Sequence, residues 1–193
     1  FEELFLIQIG LAFKKKHAGE IQTGTAFKTR GDLIKRFIKL LPFKLTKAQK
    51  RVLADIMDDL EREKPMNRLI QGDVGSGKTI VALIAMLTGV NNKSQAALMV
   101  PTEILAEQHY LNIRPYCDAL GVELALVTGN LKGKEREFIY QGIESGKTSI
   151  TIGTHSLVQK EIKFKNLGLA VVDEQHRFGV LQREALGKKG NNP

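Results

Sequence analysis

Hydrophobic and polar positions change rhythm along the chain. Phe1 to Phe13 is densely apolar (Phe1, Leu4, Phe5, Leu6, Ile7, Ile9, Leu11, Phe13) and closes on Lys14-Lys15-Lys16, which fits a helix packed on most sides with cations at its C-terminus. A polar connector with Gly19 and Gly24 follows. Leu33, Ile34, Phe37, Ile38 and Leu41 then recur at helical spacing until Pro42 stops the helix. Residues 1–42 are expected to form a helical appendage or link, and residues 43–193 the main domain. A third helix opens after Thr46, with Val52, Leu53, Ile56, Met57 and Leu60 on one face and Pro65 beyond its end.

From there the rhythm alternates. Short apolar runs at Arg68–Gln71, Ala96–Val100, Glu123–Val127, Ser149–Ile152 and Leu169–Val172 are separated by longer stretches, including helical patterns at Glu103–Leu120 and Lys132–Glu144. Unbroken apolar strands alternating with helices predict an α/β fold, a mainly parallel sheet covered on both faces.

The first of these runs leads into Gly72-Asp73-Val74-Gly75-Ser76-Gly77-Lys78-Thr79, which fits G-x-x-x-x-G-K-[ST]. Glycines suit a loop whose bare N–H groups wrap phosphates, because a Cβ would block the backbone angles and the close approach. The loop opens the helix Ile80–Leu87, whose N-terminus then faces the anion. Lys78 is expected along the β- and γ-phosphates of a nucleotide, with the Thr79 hydroxyl on Mg²⁺. The pattern arises by accident in roughly one chain of this length in 150. Its position between a predicted strand and a predicted helix makes chance a poor explanation.

The last apolar run, Leu167–Val172, ends in Asp173-Glu174-Gln175-His176. Ligands of open α/β sheets lie beyond the carboxyl ends of the strands, so Asp173 is expected on the same edge as the phosphate loop. There it is a candidate for Mg²⁺, and Glu174 a candidate acceptor for the proton of an attacking water. Pro101-Thr102, Thr128-Gly129 and Gly153-Thr154-His155 each follow a predicted strand and belong to that edge as well.

Composition narrows the class. A net charge of +8 favours an anionic partner such as nucleic acid, although a solvated basic face gives the same count. The single Cys117 excludes a disulfide framework, and His17, His109, His155 and His176 are too scattered for a zinc site. No apolar run is long enough to span a membrane and no leader pattern opens the sequence, so a cytoplasmic protein is expected.

Gly72–Thr79 and Asp173–His176 together resemble the first motor lobe of the superfamily 2 helicases and translocases, a RecA-like P-loop NTPase with three α/β/α layers. Flanking segments extend the similarity over nearly the whole chain: "LPFKLTKAQ", "PMNRL", "PTEILAEQHY", "IGTHSL" and "DEQHRFGV". These look most like the bacterial branched-DNA helicases that regress stalled forks and migrate Holliday junctions in recombination and repair. The related motor of transcription-repair coupling factors is the nearest alternative, and a nucleotide-binding module that does not hydrolyse is another.

The resemblance implies ATP and Mg²⁺ as cofactors and branched or forked DNA as partner. It implies that Gln49 reads adenine with Phe43 as a stacking surface, although Thr46-x-x-Gln49 is equally a capping box. It implies strand contacts by Thr102, Thr128, Thr154 and His155, against a plain reading of Thr102 as a helix cap and Gly129 as a turn. Gln175 and His176 would couple hydrolysis to DNA or to a partner lobe; Arg177 and Phe178 receive no role. It further implies a second RecA-like lobe and an N-terminal wedge domain in a longer protein, of which this chain is the first lobe, nearly inactive alone.

Overall fold

The computed structural model describes residues 24–190 and, ahead of them, only Phe5, Gln8 and Ile9. The helix expected over Phe1–Phe13 therefore lies almost wholly outside the described residues.

Among the described residues the chain runs α1 (Asp32–Leu40), α2 (Lys47–Leu60), α3 (Lys78–Asn91), β1 (Gln95–Met99), α4 (Glu103–Leu120), β2 (Leu124–Val127), α5 (Gly133–Ser145), β3 (Ile150–Gly153), a 3₁₀ turn (His155–Val158), β4 (Leu167–Val172), a second 3₁₀ turn (Gln175–Arg177) and α6 (Val180–Gly187). The four strands are parallel in the order β2-β3-β1-β4. Every residue of β1 is buried. Its alternate side chains serve two cores: Ala96 and Leu98 join Phe37, Ile56, Leu83, Leu87 and Ile113, whereas Ala97 and Met99 join Val127, Ile143, Leu157 and Leu186. Period-two alternation in an unbroken apolar strand thus feeds two helical layers, as an α/β/α sandwich requires.

One predicted strand is absent. Arg68–Gln71 has no ladder, and no backbone hydrogen bond involves residues 66–71 among those described. Apolar character without an adjacent edge does not make a strand, because each N–H and C=O needs a partner. Side chains hold the segment instead: Met66 and Ile70 pack on the first core, and the Arg68 guanidinium reaches Asp59 at 2.6 Å and Asp55 at 3.6 Å.

Residues 27–41 are not set apart from this core. Phe27, Ile34, Phe37 and Leu41 are buried in it, and Phe37 meets the Tyr116 ring edge-on at 5.3 Å. On the opposite side, buried Gln95 ties three segments together, its amide donating to the carbonyls of Ile143 and Thr148 and accepting from the Asn166 N–H.

Cys117 lies on the core face of α4 with no exposed surface. Burial, with the Asp118 charge adding to it, pushes its thiol up to about 12. At pH 8 roughly one molecule in ten thousand then carries the thiolate. Native protein is expected to give essentially no reaction with a disulfide reagent at that pH and one equivalent after unfolding; a fast native reaction would contradict the packing.

Candidate nucleotide-binding edge

α3 ends at Asn91, just before β1 begins, and so runs back against the strands and brings its N-terminus to their carboxyl edge. The phosphate-type loop precedes that N-terminus. Gly75 and Gly77 take φ of 80° and 83°, a left-handed backbone that side chains rarely adopt, and a Cβ on Gly77 would push the Gln49 amide aside. The first N–H groups of a helix have no intrahelical acceptor. Those of Gly77, Lys78 and Thr79 find no other acceptor among the described residues. The loop is therefore a concentrated, unpaired donor set at the positive end of a helix. Lys78 Nζ donates to the Gly72 carbonyl at 2.6 Å and the Asp73 carbonyl at 2.8 Å, folding the ammonium over the loop, while Asp73 and Val74 themselves are exposed.

Gln49 serves more than one group. Its backbone N–H donates to Thr46 Oγ1 and its Oε1 accepts the Thr46 N–H at 2.9 Å, which is the full capping box of α2. Its Nε2 also donates to the Ser76 carbonyl at 2.9 Å, across a 27-residue separation. Phe43, on the connector before α2, is half exposed.

Opposite the loop, β4 delivers the acidic pair. The Asp173 N–H donates to the Met99 carbonyl at 2.9 Å, the last rung of the β1–β4 ladder. Glu174 then turns into the left-handed region at φ 51°, and its N–H donates to Asp173 Oδ1 at 3.0 Å. Asp173 Oδ2 accepts from His109 Nε2, also at 3.0 Å. The His109 hydrogen bond holds the Asp173 carboxyl below its ordinary range against the opposing effect of burial, with smaller help from the Glu174 N–H and the Lys78 charge. The parallel pairing of β1 with β4, and α3 running back along β1, place the loop and the carboxylate on one edge. With its folded pKa depressed, Asp173 contributes stability above the unfolded carboxyl range and loses it as pH falls through the folded value.

The rest of the tetrad is less enclosed. His176 Nε2 lies 3.4 Å from Glu174 Oε2, and the Gln175 Oε1 accepts from Arg183 at 3.0 Å. Phe178 gains a physical role: it is buried in the second core and pins the chain that follows the acidic pair, whereas Arg177 is exposed.

The strand-end threonines differ among themselves. Thr102 is exposed and caps α4 by accepting from Leu105 N–H; Thr128 is half-buried. Glu103 joins their two loops by accepting from the Gly129 N–H and from Asn130 Nδ2, both at 2.7 Å. Thr154 is buried with its hydroxyl 3.3 Å from Ser156 Oγ, so His155 is the exposed side chain of that turn. A separate cleft lined by Val90, Lys93, Ser94 and Asn166 sits at the amino ends of the strands, away from all these groups.

Sequence reading missed His109 and Glu103. A signal for His109 existed: it interrupts the buried stripe Ala106, Ile113, Cys117, Leu120 of α4, and a polar residue on a core face must find a partner.

A phosphate-type loop and an acidic pair on one edge of a parallel sheet define a RecA-like α/β fold. The sequence pattern of the DEAD/DEAH box helicases matches residues 46–189, and the chain belongs to that family. Within it the chain is similar to ATP-dependent DNA helicase RecG of several bacteria: 50% identical over 191 residues to that of Thermotoga maritima, covering 98% of this chain and 24% of the relative, and 47% identical over 192 residues to that of Aquifex aeolicus, covering 98% and 24%. A solved structure of RecG bound to a three-way DNA junction superposes with a TM-score of 0.81 at 47% identity, over 92% of this chain and 24% of that one. The UvsW helicase of bacteriophage T4, at 15% identity and a TM-score of 0.60 over 86% of this chain and 58% of that one, shares the fold. The chain spans about a quarter of the length of the curated relatives it matches.

The capping box gives the first test of the site's frame. Thr46→Ala is expected to lower stability by about 1 kcal/mol, read as a shift of the urea midpoint. Gln49→Ala removes the Ser76 contact as well and should additionally speed amide exchange in residues 75–79. Unchanged exchange there would mean that the glutamine does not brace the loop.

Proposed function

We propose that this chain is the first ATP-binding lobe of a RecG-type DNA helicase, a motor that works on branched or forked DNA during recombination and repair. The observation that carries the reading is the unpaired N–H set of Gly77, Lys78 and Thr79, on the strand edge that also carries Asp173. In the parent protein a second RecA-like lobe and a wedge domain complete the machine. The bacterial cytoplasm, where ATP and chromosomal DNA meet, is the setting.

The loop N–H groups hold the β- and γ-phosphates, and Lys78 turns from its own carbonyls to the phosphate oxygens as these arrive. Gln49 suits adenine despite its internal bonds. Oε1 keeps one lone pair and Nε2 keeps one hydrogen, the acceptor and donor that the N6/N7 edge of adenine requires. Phe43 offers a ring face beside it. Mg²⁺ fits the donors present: the Thr79 hydroxyl and the Asp173 carboxylate are hard oxygens, and no group of three or more His, Cys, Asp or Glu among the described residues forms a cage by itself. That suits an ion held mainly by phosphates and water, which would neutralise charge on the phosphates when bound. Glu174 accepts the proton of the attacking water, with His176 poised to hold its carboxylate.

Exposed Thr102 and His155 and half-buried Thr128 meet the sugar–phosphate backbone of the tracked strand, together with the backbone N–H groups of the Thr154 turn, a type of contact that fixes register without reading sequence. Gln175, held by Arg183, relays the state of the site to the neighbouring lobe.

The test is ATPase turnover of the parent-length protein with forked and with linear DNA. Forked DNA is expected to stimulate strongly, and Lys78→Ala or Glu174→Gln to abolish the stimulated rate. If DNA has no effect while turnover still needs Lys78, the chemistry stands and the DNA motor falls. The isolated lobe, lacking an arginine from a second lobe, should turn over roughly 10³–10⁵-fold more slowly than the stimulated enzyme.

A further inference from the structure

His109 occupies a place in α4 that packing alone does not call for. It lies in the stripe that α4 turns to the sheet, its side chain 13% exposed, between the buried Ala106 and Ile113. An imidazole there displaces an apolar residue, and its only recorded polar contact among the described residues is Asp173 Oδ2 at 3.0 Å. An ionised carboxylate only accepts, so Nε2 carries the proton and donates. Asp173 Oδ1 is meanwhile held by the Glu174 N–H. Both oxygens are thus fixed by donors from different directions, one from the backbone that follows and one from a helix 64 residues earlier in the chain.

A carboxylate that binds a cation through one oxygen performs best when its rotamer is set beforehand, since a free carboxyl group loses torsional freedom on binding. Donors that occupy one lone pair on each oxygen leave the others available and aim them. The backbone does not do this alone: the Glu174 N–H constrains Oδ1 and leaves rotation about the last torsion to be settled by His109.

We infer that His109 is a positioning residue for the cation site, fixing the orientation of the Asp173 carboxylate through Nε2–H. This rests on the reading of Asp173 as the Mg²⁺-side ligand. It makes α4 the element joining two parts of the edge, for the same helix begins at the Thr102 cap and is tied through Glu103 to the loop after β2.

The experiment uses the parent-length protein with Mn²⁺ as the probe, its bound fraction read by electron paramagnetic resonance in the presence of a non-hydrolysable ATP analogue. His109→Leu keeps the volume and removes the donor; His109→Gln keeps an N–H near the position of Nε2. Leucine is expected to weaken Mn²⁺ binding by roughly 10–100-fold, in line with the loss of other partners that orient metal ligands. Glutamine should recover most of that loss, and nucleotide binding in excess EDTA should be the same in all three proteins. The inference is overturned if leucine binds Mn²⁺ as tightly as the native protein, or if leucine and glutamine lose it equally. Asp173→Asn separates the two levels. If it binds Mn²⁺ normally, the metal reading of the edge fails; if it binds weakly while His109→Leu does not, only the role of His109 fails.

Discussion

β1 is buried on both faces and hydrogen-bonded along both edges, and every candidate functional segment takes its position from it. Its Met99 carbonyl receives the Asp173 N–H, and the Val100 N–H just beyond it donates to the Gly153 carbonyl, so the turns after β4 and β3 are pinned at the same height. The Thr102 turn is its own continuation. α3, which packs back along it, carries the phosphate-type loop to the same level. A parallel ladder repeats its register strand after strand, so fixing one carboxyl end fixes them all. The edge is therefore a consequence of the ladder, and chemistry could collect there only because the strands point one way.

Polar side chains then convert this coarse alignment into a defined site. The ladder sets heights to within a residue, whereas binding phosphate or a cation demands placement within a fraction of an ångström. Gln49, Glu103 and His109 each span from one element to another and end on a group that matters: the Ser76 carbonyl, the Gly129 N–H and the Asp173 carboxylate. None of them is deep in a core. Each sits at the rim where a helix meets the edge, so its hydrogen bond is only partly shielded from water and contributes on the order of 1 kcal/mol, enough to select a rotamer without dominating stability.

Much of this was legible in the sequence, and the exceptions share a cause. β1 to β4 and the helices between them followed from apolar runs and their spacing, and Glu103–Leu120 was placed to the residue because Thr102 caps one end and Gly121 closes the other in the left-handed region. The glycine loop at residues 72–79 was legible as a backbone feature because its glycines answer a demand local to a few residues. Arg68–Gln71 misled because its apolar composition is that of a strand, while pairing is a property of the neighbour. His109 escaped for the same reason: whether a histidine in a buried stripe is a structural filler or a ligand holder depends on what lies 64 residues away. Phe178 had no role until the second core showed a place for its ring. Local patterns report the demands a segment makes on itself, and long-range partners appear only once the fold has brought them together.

The unpaired run before the loop also decides how the loop is held. With no ladder at residues 66–71, the sheet does not grip the entry to the loop; α2 does, through Asp59 on Arg68. The exit is held from the same helix, through Gln49 on the Ser76 carbonyl. Asp59 and Gln49 stand ten residues apart, about 15 Å along one rigid cylinder. Both ends of the loop are thus referred to α2, and only its last residues to α3. Because Thr46 and Gln49 fix where α2 begins, the capping box that looks like a local stability device also braces the phosphate-type loop through the Ser76 carbonyl.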